Sequence, residues 1–341
     1  MRLINWVRKA DRRLVVPLAG FPGAQLTGST IKQNEFNAEL QYRTLYKLAE
    51  YAQPDALFMM MDLSVEANAL GLPVRFPLAE SASVEHHPVR EIADLEQYKV
   101  IDPMGDCRVW VFLETMRRLA RRVRMPKGAY VSGPFTLAGL LMGANQIAID
   151  TIDRPDVVHA VVNYAERIII NYASALVDAG ADMICILEPT ACFLSPEAFR
   201  QFSGRSISQI VRHIDAMSIL HICGNTTNLI ADMAATGVQG LSIGPMVNVP
   251  EAAKRVPDDC VLMGNIDPVR VMAHGSPEDV RRAVRDLGEQ MKAVENFVVA
   301  TGCDLPPETP LENIVTLIDE ARRLPRPERA ADTPSAHAAG F

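Results

Sequence analysis

Cysteine is scarce in this chain: six residues in 341, at Cys107, Cys185, Cys192, Cys223, Cys260 and Cys303. That is too few for a disulfide scaffold at this length. No run of about 18 apolar residues occurs, so no membrane span is expected. The opening MRLINWVRKADRR has no apolar stretch suited to a signal peptide. Basic residues are outnumbered, 34 Lys and Arg against 41 Asp and Glu, for a net charge of −7. A nucleic-acid protein would normally show the opposite balance. Neither GxGxxG nor GxxxxGK is present, which removes the usual phosphate cradles. The 20 Gly and 23 Pro are spread along the chain, with no low-complexity block.

What is present suffices for a large core: 48% hydrophobic and 22% charged residues exclude wholesale disorder. The expectation is a soluble cytoplasmic protein in a reducing compartment, with thiols free for metal or catalysis. Neither nucleic acid nor membrane is expected as a partner.

Eight short β-rich runs recur: Val15–Gly20, Ala56–Asp62, Ala129–Gly133, Met183–Glu188, Ser218–Cys223, Gly240–Gly244, Val261–Asp267 and Phe297–Cys303. Most are continuously apolar, the mark of strands buried on both faces in a parallel sheet. Helical patterns separate them, among them Glu35–Gln53, Val109–Leu119, Val157–Leu176, Pro196–Asp215 and Asn225–Thr236. Ser276-Pro277-Glu278 opens a further helix with a cap and a first-turn proline. Thr309-Pro310-Leu311-Glu312 is expected to open the last with a capping box. The alternation predicts an α/β fold, a (β/α)8 TIM barrel over residues 1–323 as one domain; a doubly wound sheet is the runner-up. The stretch Ser64–Lys127 is too long for one helix and two loops. It is expected to add elements that cap the barrel mouth. Residues 324–341 look like a disordered tail.

Working residues of such barrels sit at the C-terminal ends of strands. The most informative are His221-Ile222-Cys223, an HxC whose two side chains share one face of a strand. Cys303 ends the eighth run and reaches the same mouth. Histidine with two cysteines suits zinc, and three protein ligands leave a fourth position open, as in catalytic sites. A bland alternative stands beside this, since free cysteine is commonly a core residue. Glu188, closing an apolar run before Pro189, and Asp62 are candidate catalytic carboxylates. Each also suits a capping or salt-bridged role, and Glu66 suits a solvated loop. Asn265 and Asp267, in GNIDP, are candidate cofactor-side residues or simply an Asx turn. Cys107, Cys185 and Cys260 look structural, and Cys192 is at most a reserve ligand.

The segments Gly133–Ala138 (GPFTLA), Leu194–Glu197 (LSPE), Gly264–Pro268 (GNIDP) and Thr301–Asn313 (TGCDLPPETPLEN) resemble the uroporphyrinogen decarboxylase superfamily over about residues 10–323. His221, Cys223 and Cys303, with Ser64–Gly71 (SVEANALG), are similar to its corrinoid-dependent methyltransferase branch, the methylcobamide:coenzyme M methyltransferase type. The decarboxylases carry an arginine-bearing stretch near the N-terminus. Pro17–Gly23 (PLAGFPG) has no arginine, and a tetrapyrrole with many carboxylates needs cationic partners.

The resemblance implies Zn2+ on His221, Cys223 and Cys303, and a methyl group moved between a corrinoid (methylcobalamin, on a separate corrinoid protein) and a thiol or other acceptor. Glu188 would occupy or tune the fourth position; Asp62 and Asp267 would line the mouth. Three rivals stand beside it: a demethylase that loads the corrinoid protein, a tetrapyrrole decarboxylase, and a non-catalytic corrinoid- or metal-binding relative.

Overall fold

The computed structural model describes residues 1–325. The expected tail lies outside the described residues from 326 onward. Among the described residues nine strands form: β1 (Leu57–Phe58), β2 (Val74–Arg75), β3 (Ser83–Val84), β4 (Lys127–Ser132), β5 (Met183–Leu187), β6 (Met217–Ile222), β7 (Gly240–Ile243), β8 (Val261–Ile266) and β9 (Phe297–Thr301). Seven of them make one parallel sheet in the order β1-β4-β5-β6-β7-β8-β9, and β2 pairs with β3 as an antiparallel hairpin.

The first expected strand closes the sheet into a barrel by a few bonds only. Val16 N donates to Val299 O (2.8 Å), Val299 N to Leu14 O (3.0 Å), and Asp55 N, just before β1, to Val15 O (3.1 Å). Val15–Gly20 is therefore not a full strand but a single parallel bridge. Pro17 explains the shortfall, since proline has no N–H for the ladder. The second run, Ala56–Asp62, likewise keeps only Leu57–Phe58 as strand.

Period-two alternation divides the strand side chains between two cores. Val16, Phe58, Tyr130, Met183, Cys185, Leu187, Ile219, Met263, Val298 and Ala300 fill the barrel interior. Val15, Leu57, Val131, Ile184, Ile186, Leu220, Ile222, Ile243 and Val299 face the helical layer. Both faces are buried, which is why the runs are continuously apolar. The helix Leu3–Lys9 plugs the N-terminal end of the barrel: Leu3 N donates to Gln239 Oε1 (2.7 Å), and Leu3, Ile4 and Val7 join the interior cluster.

Between β1 and β4 the chain adds the helix Val65–Ala69, the hairpin, and the helix Cys107–Arg122. These pack with residues 21–36 beside the end of β1; Ile31 N, for example, donates to Leu78 O (2.9 Å). The helix expected at Pro196–Asp215 runs from Pro196 to His213 with a π turn at Arg200–Gly204. The helix expected at Asn225–Thr236 shrinks to Ile230–Ala235. Asn225 Oδ1 accepts from Thr227 N (3.2 Å) and Thr227 Oγ1 (2.7 Å), a local turn that competes with helix. Ser276 and Asp279 form a capping box, as the sequence suggests. Thr309 does not: its Oγ1 meets no partner, and the last helix starts at Leu311 behind Pro310. Among the described residues no single helix is long and apolar enough to cross a membrane.

The N-terminal plug makes a direct prediction. Leu3 is fully buried, so Leu3→Ala leaves a cavity and should cost about 2–5 kcal/mol. Urea denaturation followed by circular dichroism should show a lower midpoint with an unchanged slope. A midpoint equal to the wild type's would mean that the plug does not close the barrel.

Candidate metal centre

The strand alternation that puts Met217 and Ile219 inside the barrel carries His221 and Cys223 inside too. His221 is the penultimate residue of β6, at the register of Leu187 and Ser242. Its Nδ1 faces Ser242 Oγ (3.0 Å) and Ser242 O (3.2 Å). That contact orients the ring and leaves Nε2 for the mouth. Nε2 lies 3.0 Å from Cys223 Sγ, which lies 3.3 Å from Cys303 Sγ. All three ligand atoms fall within 4.8 Å of one another.

Close backbone approach makes this convergence possible. Cys303 follows β9 after Gly302, where an added Cβ would meet Pro245 Cδ at 2.8 Å and Pro245 N at 2.9 Å. Asn265 secures that neighbouring loop, its Nδ2 donating to Gly244 O and Val247 O at 2.9 Å each. Asn265 thus braces the loop against which the Cys303 segment packs. Asp267 forms the Asx-type cap, Oδ1 accepting from Val269 N (3.0 Å) and Arg270 N (2.8 Å). Neither is brought into the His–Cys–Cys group.

The donor set fits zinc. Tetrahedral ligands at about 2.0–2.3 Å from the metal lie roughly 3.5–3.8 Å apart, so the observed spacing needs only small adjustment. The two sulfurs are unequal without metal. An S–H bond from Cys303 lowers the Cys223 thiol, and the same contact, with burial, pushes Cys303 up to about 12. A cation between them would take the place of that shared proton.

Glu188 lies elsewhere, for a physical reason. It follows Leu187, an interior residue, so alternation turns it toward the helices. It is fully buried. Oε1 accepts from Phe135 N (2.9 Å) and Ser203 Oγ (2.6 Å), and Oε2 accepts from Thr136 N (2.8 Å). It therefore caps the helix Pro134–Met142, and the π turn brings Ser203 to it. Burial raises its pKa, and these donors oppose the rise. A Cβ at Gly133 would collide with this carboxylate, so GPFT and EPT form one packing unit. Cys192 is half-buried near Gly224 but outside the ligand group.

Asp62 is likewise held away from the group. It is ion-paired with Arg108, both side chains buried. Asp62 Oδ1 also accepts from Ser64 N and Ser64 Oγ at 2.7 Å each. The Arg108 guanidinium sits 4.7 Å from the Phe76 ring centroid and 5.6 Å from that of Phe36. Glu66, expected in a solvated loop, is buried instead. It accepts from Ser132 N (2.7 Å) and Ser132 Oγ (3.0 Å). Cys107, expected to be structural, is exposed at the start of its helix, whereas Cys185 and Cys260 are buried. Ser242, Arg108, Tyr130 and Asp304 were not singled out from the sequence. For Ser242 a signal existed: it faces the barrel interior beside an inward histidine.

Two buried carboxyls set a pH window. Desolvation lifts Glu66 from 4.5 to about 7, partly offset by its Ser132 bonds. Desolvation and then Asp62 lift Glu35 from 4.5 to about 8. Raised folded pKa values mean that the native state holds protons the unfolded chain has lost. Their stabilisation is full below about pH 4.5 and is lost as pH rises through 7 and 8. Glu66→Gln should therefore lose less stability than wild type between pH 5 and pH 8. Urea midpoints at the two pH values check this; parallel declines would place the titrating group elsewhere.

Comparison with known proteins then places the chain. It is 29% identical over 279 residues to methylcobamide:CoM methyltransferase MtbA of Methanosarcina acetivorans, covering 79% of each. It is 31% identical over 218 residues to methylcobamide:CoM methyltransferase MtaA of Methanosarcina barkeri, covering 62% of each. A uroporphyrinogen decarboxylase of Prochlorococcus marinus is 25% identical over 308 residues, covering 86% of this chain and 87% of that one. The solved structure of a methyltransferase from Methanosarcina mazei superposes with a TM-score of 0.86 at 25% identity, over 94% of this chain and 97% of that one. The family model for uroporphyrinogen decarboxylase (URO-D) matches residues 8–324, and the chain belongs to that family.

Proposed function

We propose that this protein is a zinc-dependent methyltransferase, moving a methyl group between a corrinoid on a separate protein and a thiol acceptor. The observation that carries this reading is the His221–Cys223–Cys303 group at the barrel mouth, with its ligand atoms within 4.8 Å. The similarity to methylcobamide:CoM methyltransferases supports the same reaction class. His221, Cys223 and Cys303 would hold the zinc. The ion supplies one thing: an acceptor thiol kept as thiolate at neutral pH.

The chain's own residues do the rest. Ser242 keeps the His221 ring turned so that Nε2 faces the sulfurs. Two cysteine thiolates keep the site's total charge low, so a third sulfur there retains nucleophilic character. The apolar barrel interior beneath the site excludes water from one side. Cys223 and Cys303 are only half-buried, so a large donor would reach them from the mouth side. Residues 1–323 work as one domain in this reading, and its unbridged, half-buried thiol ligands suit a reducing cytoplasm.

One observation weighs against tetrapyrrole decarboxylation. Pro17–Gly23 is buried and has no arginine, so the cations that a polycarboxylate requires are missing from that segment.

Metal analysis tests the centre first. Purified wild-type protein should carry about one zinc per chain, and Cys303→Ala should lose most of it with little change in circular dichroism. Unchanged zinc in that variant would discard the site. The reaction is then tested with free methylcobalamin and a panel of thiols, following loss of the methyl–cobalt absorption band. Turnover with no thiol, but corrinoid methylation from a methylated substrate, would favour the demethylating direction.

A further inference from the structure

Each cysteine of the His–Cys–Cys group has a glycine beside it in the chain. Gly224 follows Cys223, and Gly302 precedes Cys303. A third glycine, Gly244 just past β7, lies against both. A Cβ added at Gly244 would stand 3.1 Å from Gly224 O, 3.4 Å from Gly224 N and 3.9 Å from Gly302 O. One added at Gly302 would stand 2.9 Å from Pro245 N and 3.3 Å from Asn265 O. Three stretches of backbone therefore touch with no side chain between them. Gly224 also takes φ +88°, a left-handed value that glycine adopts without strain.

Such contacts keep their spacing only if the middle stretch is held in place. Asn265 holds it. Its Nδ2 donates to Gly244 O and to Val247 O, at 2.9 Å each. Both amide N–H groups are thus used on one loop. Val247 N donates to the same Gly244 O (3.2 Å), and Gly302 N donates to Ile266 O (2.8 Å). The residue after Asn265 is therefore tied to the residue before Cys303. Asn265 is not a member of the ligand group. Its grip passes through backbone alone: from Asn265 to Gly244, from Gly244 to Gly224 and Gly302, and from these to Cys223 and Cys303.

We propose that Asn265 and Gly244 are positioning residues that set the spacing of Cys223 Sγ and Cys303 Sγ, and with it the size of ion that the site prefers. The inference rests on the metal reading above and adds a size filter to it. The sulfurs stand 3.3 Å apart, and tetrahedral zinc needs roughly 3.8 Å. A larger soft ion such as cadmium needs them farther apart still. Thiolate ligands by themselves favour the softer ion, so preference for zinc has to come from geometry. A backbone stack that resists widening supplies it.

Full-length protein stripped of metal is titrated with cobalt(II), zinc and cadmium. The visible bands of cobalt report ligand geometry without turnover, and competition gives the cadmium-to-zinc affinity ratio. Asn265→Ala should weaken zinc about tenfold or more, move the cobalt bands and raise the ratio. Gly244→Ala keeps Asn265 and all three ligands, and Gly244 is outside the left-handed region, so the alanine is tolerated locally. Its methyl presses on Gly224, and the bands and the ratio should move in the same direction. A merely structural role would lower the urea midpoint and leave bands and ratio at wild-type values. That result in either variant overturns the proposal; if Asn265→Ala does not fold, Gly244→Ala decides alone. A wild type that binds none of the three ions overturns the metal reading itself, and this inference with it.

Discussion

The contact between one imidazole and two sulfurs is the constraint on which this molecule's chemistry depends. His221 Nε2 to Cys223 Sγ is 3.0 Å, and Cys223 Sγ to Cys303 Sγ is 3.3 Å. Eighty residues separate the two cysteines in the chain. Only a closed sheet brings the ends of β6 and β9 to one opening, and closure itself depends on a short bridge through Leu14–Val16. The apolar residues that seal the interior are therefore part of the site. They set the level at which His221 stands and exclude water beneath it. Without cation or proton, two facing thiolates would repel at this distance, so the geometry needs something positive between the sulfurs.

The carboxylates of this mouth hold the frame. Glu188 satisfies the free N–H groups that begin Pro134–Met142, and Asp62 answers Arg108, whose charge would otherwise be unpaired in the interior. Breaking such buried pairs is costly, though it is their loss and not their presence that carries the large energy. Both residues stand at strand ends, the place from which barrel enzymes draw catalytic groups. Strand-end position was thus a sound guide to importance and a poor guide to role. Side-chain direction decides between the two, and for Glu188 parity with Leu187 already points outward.

The same parity explains what was legible in the sequence. HxC is self-contained: two residues apart on a strand, they must share a face, and the face of Met217 and Ile219 is the interior. The eight-run alternation was equally clear, because parallel strands buried on both sides leave unbroken apolar text. Three kinds of feature escaped. The first run looked like a strand, but Pro17 ended the ladder. Asn225 drew its segment into a turn that helical spacing alone does not disclose. Glu66 and Arg108 each stand second in their helices and are buried against distant partners, Ser132 and Asp62, of which local pattern carries no trace.

URO-D family members named as decarboxylases and as methyltransferases are both similar to this chain at comparable identity, so the frame does not select the chemistry. The arginine-free, buried segment Pro17–Gly23 removes cations that a polycarboxylate would need. The sulfurs of Cys223 and Cys303, the latter just beyond the strand that Val16 and Leu18 bond to, instead suit a soft metal.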